Sequence, residues 1–173
     1  MLKIYLTNLG KYNEGELVGK WVELPCDDFA AELAEIGVSE EPDENGNYYE
    51  EYFITDYESD VEGLRIGEYD NLNELNDLAE AIEENETAAA VLIENGYHTA
   101  DEIREHINDV MYICEAGFNT DYEIGYYFAT ECGYLDRIPE DLQNYFDFES
   151  FGRDIRINGN FTEIDGSIYE LCA

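Results

Sequence analysis

Most side chains able to do chemistry here are carboxylates, and few others are spaced for a reaction. His98, Glu102 and His106 stand at i, i+4 and i+8, a spacing that puts three metal ligands on one helix face. Thr99-Ala100-Asp101-Glu102 is a capping box, however, so the helix opens after Thr99 and leaves His98 outside it. We expect no metal there. Cys26, Cys114, Cys132 and Cys172 form no C-x-x-C pair and read as reduced thiols rather than a zinc or redox site. No Ser-His-Asp or Cys-His set stands out. Gly10 to Gly19 lacks the Lys-Ser/Thr ending of a phosphate-binding loop. Asp43 to Asn47 alternates acids and amides like a calcium loop. Its glycine is fourth rather than sixth, and Ile54 stands where the bidentate Glu belongs. Carboxylates are too dense for one catalytic pair to be singled out. The expectation is no enzyme, no cofactor and no metal.

What remains is the carboxylates themselves. The chain holds 43 Asp plus Glu against 8 Lys plus Arg, a net charge of −35 over 173 residues. Direct binding to DNA, RNA or an anionic membrane needs a basic footprint and is excluded. An acidic disordered tail is excluded too, because 45% of the residues are hydrophobic and 14% aromatic. The chain therefore folds against its own repulsion. Residues 41–110 hold 22 acids and 2 bases, more than half the excess. Repulsion of that size favours an elongated arrangement over a compact ball. Met1 to Asn8 contains no apolar signal region, and no apolar run approaches the ~20 residues of a membrane span. We expect a cytoplasmic protein.

The elements that must position these acids are legible in outline. Lys3 to Thr7 and Lys20 to Leu24 read as strands, with a loop from Gly10 to Gly19 between them. Asp27 is placed to cap a helix with Phe29, Ala30, Leu33, Ala34 and Ile36 inward, ending at Gly37. Tyr48 to Asp56 reads as a third strand. In Asn71 to Glu84, Leu72, Leu75, Leu78, Ala79 and Ile82 fall within an arc of about 120° on a helix. Glu74, Asp77, Glu80, Glu83 and Glu84 lie outside that arc, so one face is core and the other anionic. A short helix over Asn85 to Asn95 follows, and then one opened by Thr99 with Ile103 and Ile107 inward. Val110 to Cys114 reads as a strand. Thr120-Asp121-Tyr122-Glu123 reads as a second capping box, opening a helix to about Cys132. Pro139 starts another helix, followed by Leu142, Tyr145 and Phe146. Phe161 to Ile164 and Ser167 to Leu171, around Asp165-Gly166, read as a closing hairpin. The fold class is α+β: an elongated chain of three small domains with a strongly anionic surface. They are an α+β domain with a three-stranded sheet over 1–62, a helical domain over 63–108 and an α+β domain over 109–173.

The charge has a geometry. Helix neighbours three or four residues apart stand about 5–6 Å from one another. Alternate strand residues stand about 6.6 Å apart. Both are close to the spacing of neighbouring phosphates along one DNA strand, roughly 6–7 Å. At the charge density of B-DNA, 35 charges correspond to about 60 Å of duplex. A folded, carboxylate-coated chain is thus able to compete for the basic channel of a DNA-binding protein. Two other readings stay open on composition: a salt-adapted or cation-binding acidic protein, and a mimic aimed at a nucleoid or repair protein. The load of Tyr and Phe counts against salt adaptation.

Residues 3–21, KIYLTNLGKYNEGELVGKW, and 125–155, GYYFATECGYLDRIPEDLQNYFDFESFGRDI, resemble the ArdA-type antirestriction proteins of bacterial mobile elements. The first resembles that family's N-terminal strand-loop-strand. The second resembles its antirestriction motif, from Tyr126 to about Glu140. It runs into an N-Y-F-D-x-E-x-[FY]-G-R-D signature at Asn144 to Asp154. The resemblance implies three small domains in a curved chain that pairs into a longer homodimer shaped like bent B-form DNA. It implies occupation of the DNA groove of type I restriction-modification enzymes, the methyltransferase core with its specificity subunit, so that restriction and modification are both blocked. The motif is then expected at the dimer interface, with Tyr126, Tyr127, Leu135 and Ile138 packing subunits; an intrachain core role for some of them stays open. The carboxylates expected to stand in for phosphates are Asp70, Glu74, Asp77, Glu80, Glu83, Glu84, Glu86, Glu94, Asp101, Glu102, Glu105, Asp109, Glu115, Asp121 and Glu123.

Overall fold

A computed structural model describes residues 1–172; Ala173, the last residue of the expected 109–173 domain, lies outside them. The chain runs β1 (Leu2–Asn8), α1 (Leu9–Asn13), β2 (Gly19–Leu24), α2 (Phe29–Glu35), β3 (Tyr52–Ser59), α3 (Leu72–Glu84), α4 (Glu86–Glu94) and α5 (Ala100–His106). It continues through β4 (Val110–Glu115), α6 (Thr120–Thr130), a 3-10 turn at Leu135–Arg137, α7 (Glu140–Gln143), α8 (Phe148–Asn158), β5 (Phe161–Ile164) and β6 (Ser167–Leu171). The fold is mixed α+β, with two small antiparallel sheets among the described residues. Two compact units emerge: Met1–Glu86 with Tyr97–Arg104, and Thr87–Gly96 with the residues from Glu105 onward.

In the first unit β1 is the middle strand, in the order β2-β1-β3. Period-two alternation sends Leu2, Ile4 and Leu6 of β1 into the core with Val22 and Leu24 of β2. The segment expected as a plain loop from Gly10 instead opens with α1. Buried Asn8 makes that possible: its side-chain oxygen accepts from Lys11 N–H (3.0 Å) while its amide donates to the Ile36 carbonyl (3.1 Å). Asp28, not Asp27, caps α2, accepting from Ala31 N–H. Ala30 and Ala34 of that helix face solvent, contrary to the reading from spacing. The third strand starts later than expected, because the backbone at Tyr49 bridges Ser39 and only Tyr52 onward pairs with β1.

In the second unit the sheet order is β4-β6-β5. The expected hairpin is present: Asp165 (φ 48°) and Gly166 (φ 76°) are both left-handed, as a two-residue type I′ turn needs. Ile113, Ile124 and Ile168 form the core, with Tyr127, Phe128, Ile155 and Phe161 packed around it. α4 is buried at Ala88 through Ile93, and Asn95 just after it donates to the Val91 carbonyl and to Thr162 Oγ (both 2.8 Å). Asn119, not Thr120, caps α6, because the Asn119 side chain accepts from Tyr122 N–H. The helix expected after Pro139 is only the single turn of α7. The longer helix is α8, capped by Asp147, whose oxygen accepts from Ser150 N–H (3.0 Å). Where α6 meets α8, Gly125 lies against the Phe148 carbonyl and Gly152 against the Asp121 carbonyl, so closely that a Cβ at either position would collide with backbone.

Candidate functional site

The acidic face of α3 is the most regular arrangement of the expected residues. Asn71 caps the helix, accepting from Asn73 and Glu74 N–H groups (2.8 and 3.3 Å). Leu72, Leu75, Leu78, Ala79, Ala81 and Ile82 are buried. The five arc residues read from spacing are among them; Ala81 widens the stripe. Glu74, Asp77, Glu80, Glu83 and Glu84 are exposed. Arg104 of α5 crosses onto this row, with Nε 2.9 Å from Glu84 Oε1, an Nη 3.7 Å from Glu80 and 3.4 Å from the Asp77 carbonyl. Those carboxylates, Glu84 first, raise the guanidinium pKa. Spacing along α3 gave no sign of this cation, which arrives from 20 residues away.

Beside that row lies an open hollow of about 500 Å³ lined by Asp70, Glu74, Asp77 and Asp101, with Arg65 and His98 in its wall. Asp70 also accepts from Gly67 N–H (2.7 Å). At the start of α5 the capping box is formed. The Thr99 hydroxyl donates to Glu102 Oε2 (2.8 Å), and the backbone N–H groups of Thr99 and His98 donate to the same oxygen (3.1 and 3.2 Å). The hydroxyl leads in holding the Glu102 carboxyl below its usual range. His98 precedes the helix, and His106 Nδ1 lies 2.8 Å from Asp109 Oδ2. Of the three residues spaced like ligands, His98 meets Glu102 through its backbone N–H, and His106 faces Asp109 instead.

The other expected carboxylates divide. Glu86, Glu94, Glu105, Glu115 and Glu123 are exposed. Glu86 lies 3.8 Å from the N-terminal ammonium. Glu115 accepts from the Tyr112 hydroxyl (3.3 Å). Asp109 and Asp121 are half-buried and engaged inside the chain. Asp109 faces His106, and Arg156 Nε donates to Asp121 Oδ1 (2.6 Å). Sequence spacing did not separate these two from the exposed acids.

The motif residues also divide. Tyr126 is 48% exposed, stacks on Tyr122 (6.2 Å) and meets Phe148 at a tilt (5.5 Å). Tyr127 packs on the isoleucine core, and burial pushes its hydroxyl pKa up. Leu135 and Ile138 are half-buried, and their carbonyls both accept from Gln143 Nε2 (3.1 and 3.2 Å). Large apolar groups stand open in the same unit: Phe118 and Ile157, which periodicity did not mark, and Tyr145, which was read as following the helix start at Pro139.

A family model described as antirestriction protein (ArdA) matches residues 4–170 of the chain. No curated protein matches it.

Proposed function

Because the chain belongs to the ArdA antirestriction family, we propose that it is a DNA mimic that fills the DNA groove of a type I restriction-modification enzyme. Membership implies an antirestriction role, that of an inhibitor acting on restriction enzymes rather than a catalyst. The observation that carries the finer reading is the α3 face. Five carboxylates at helical spacing, all exposed, are held by a buried apolar stripe. They offer negative charge every 5–6 Å or so, close to the phosphate interval. A decoy made of folded protein need not meet the deformation energy of bending DNA, of order 1–6 kcal/mol. It carries no bases, so target sequence is irrelevant and restriction and modification are blocked together.

The reading includes a homodimer joined through the motif around Tyr126, Tyr127, Leu135 and Ile138. Exposed aromatic and aliphatic groups near the motif, such as Tyr126 and Tyr145, support it. It also includes three domains, at 1–62, 63–108 and 109–173. The element ranges support that division: one sheet is complete by Ser59, α3 to α5 fall between, and the second sheet begins at Val110. The enzyme it blocks places its work in the cytoplasm; no helix among the described residues is long and apolar enough to cross a membrane. The test is to add the protein to a type I methyltransferase bound to labelled target duplex. Displacement of the duplex is expected. A chain that leaves the duplex bound, or that frees it only from a nucleoid or repair protein, overturns the assignment.

A further inference from the structure

The outer face of the first sheet carries an aromatic groove that the charge argument does not use. Across β2-β1-β3 the register places Glu23, Lys3 and Glu58 in one row, then Trp21, Tyr5 and Asp56, then Gly19, Thr7 and Phe53. Beside the last two rows opens a groove of about 460 Å³ lined by Tyr5, Tyr12, Leu17, Val18, Phe53 and Glu68, among others. Tyr5 meets Trp21 edge-on at 5.3 Å, and Tyr12 meets Phe53 edge-on at 5.2 Å. Gly19 keeps the floor open, since a Cβ there would come within 2.5 Å of the Tyr5 ring and 2.6 Å of the Leu6 carbonyl. The Thr7 and Thr55 hydroxyls, 2.9 Å apart, supply polar atoms at the base. Leu17 stands 83% exposed at the side.

An aromatic groove beside exposed carboxylates selects a cation, and a planar one fits best. Ring faces attract a guanidinium, which stacks flat while its edge donates to oxygens. Glu68 is exposed in the lining, and exposed Glu16 and Asp56 flank the lining residues Leu17 and Thr55. The nearby lysines are engaged elsewhere: Lys3 with Glu23 (3.0 Å), Lys20 with Glu32 and Glu35, and Lys11 over the Tyr49 ring. A second copy is assigned above to the motif around Tyr126 to Ile138, none of whose residues lines this groove. We propose that this groove takes an arginine side chain presented by the enzyme the chain blocks. This rests on the inhibitory reading above and adds to it a shaped contact, distinct from carboxylates spread at phosphate spacing.

The test uses the full chain and the peptide Ac-Gly-Arg-Gly-amide at physiological salt. Readouts are the NMR signals of Tyr5, Tyr12, Thr7 and Thr55 and the emission of Trp21, the chain's single tryptophan. Saturable shifts confined to the groove are expected, with the lysine counterpart binding at least about threefold more weakly. Tyr12→Ala leaves the charge unchanged and should abolish the response. Leu17→Arg sets a guanidinium of the chain's own at the groove and should abolish it too; at 83% exposure Leu17 has little packing to lose. Glu163→Gln, an exposed acid outside both the groove and the α3 row, matches the charge change of Leu17→Arg and should leave the response intact. No saturable shift in the wild type, or equal shifts in all four proteins, overturns the proposal. The peptide assay contains no enzyme. A wild type that binds the peptide but fails to displace duplex from the methyltransferase therefore sinks the inhibitory reading and leaves the arginine site standing.

Discussion

A carboxylate acts by what else it touches. Glu74 and Glu83 are exposed on α3, whereas Asp121 is held by Arg156 and Asp109 by His106. Neutralising Glu74 or Glu83 singly should shift the midpoint of duplex displacement by less than about threefold, in line with exposed ion pairs worth about 0–1 kcal/mol. A tenfold loss from either would replace the distributed picture with a hot spot. Glu102 supports a prediction about pH. Its carboxyl is held below the usual value by the Thr99 hydroxyl and by backbone N–H groups. A depressed carboxyl stabilises the fold above its unfolded pKa, about 4.3, and that contribution disappears as pH falls through the lower folded value. The urea midpoint of wild type should therefore exceed that of Glu102→Gln at pH 6 and converge with it below about pH 4. An undiminished gap at pH 2.5 or so would assign the effect to geometry rather than charge. The capping box was legible because its partners are three residues apart. The Asp121–Arg156 pair was not, because 35 residues separate it and only the α6–α8 crossing brings it together.

Legibility at the scale of elements followed how local the cause is. α3 was read closely because one buried stripe and one cap, Asn71, specify it. The hairpin was read because Asp165-Gly166 favours the left-handed pair that its turn demands. α8 was missed although it holds part of the family signature. Its strongest constraint is a contact, Gly152 against the Asp121 carbonyl with the Gly125 N–H close by, and a glycine in a helix reads locally as a weakness. The start of α1 was missed for a like reason, since Asn8 caps it while bonded to the Ile36 carbonyl 28 residues on. The crossing yields a sharp prediction. Gly152→Ala adds one methyl where only backbone can yield, so it should cost at least about 2 kcal/mol, read as a lower urea midpoint. An adjacent exposed change, Arg153→Ala, should leave the midpoint nearly unmoved. A neutral Gly152→Ala would mean that α6 and α8 stand farther apart.

At the scale of the whole molecule, composition argues against a basic footprint for nucleic acid and leaves a class of readings; the motifs at 3–21 and 125–155 point to the family. Two properties of the proposed decoy belong to this scale. Dimerisation through the motif predicts that Leu135→Glu yields monomers in light scattering, with circular dichroism unchanged; persistent dimers would move the interface elsewhere. The second property is how inhibition accumulates. A long-range field sums charges, so amide substitutions at Glu74, Asp77, Glu80, Glu83 and Glu84 should weaken duplex displacement in graded steps. Glu80 and Glu84 hold Arg104, whereas Glu74 and Asp77 have no side-chain ion pair in the described residues. The doubles Glu80→Gln/Glu84→Gln and Glu74→Gln/Asp77→Asn change net charge equally. They should weaken displacement about equally, yet only the first should lower the urea midpoint, by freeing Arg104. Raising salt from about 50 to about 200 mM should shrink each step, since the screening length contracts toward the spacing between helix neighbours. An abrupt loss at one substitution, or steps indifferent to salt, would show that the enzyme reads individual carboxylates rather than their summed field.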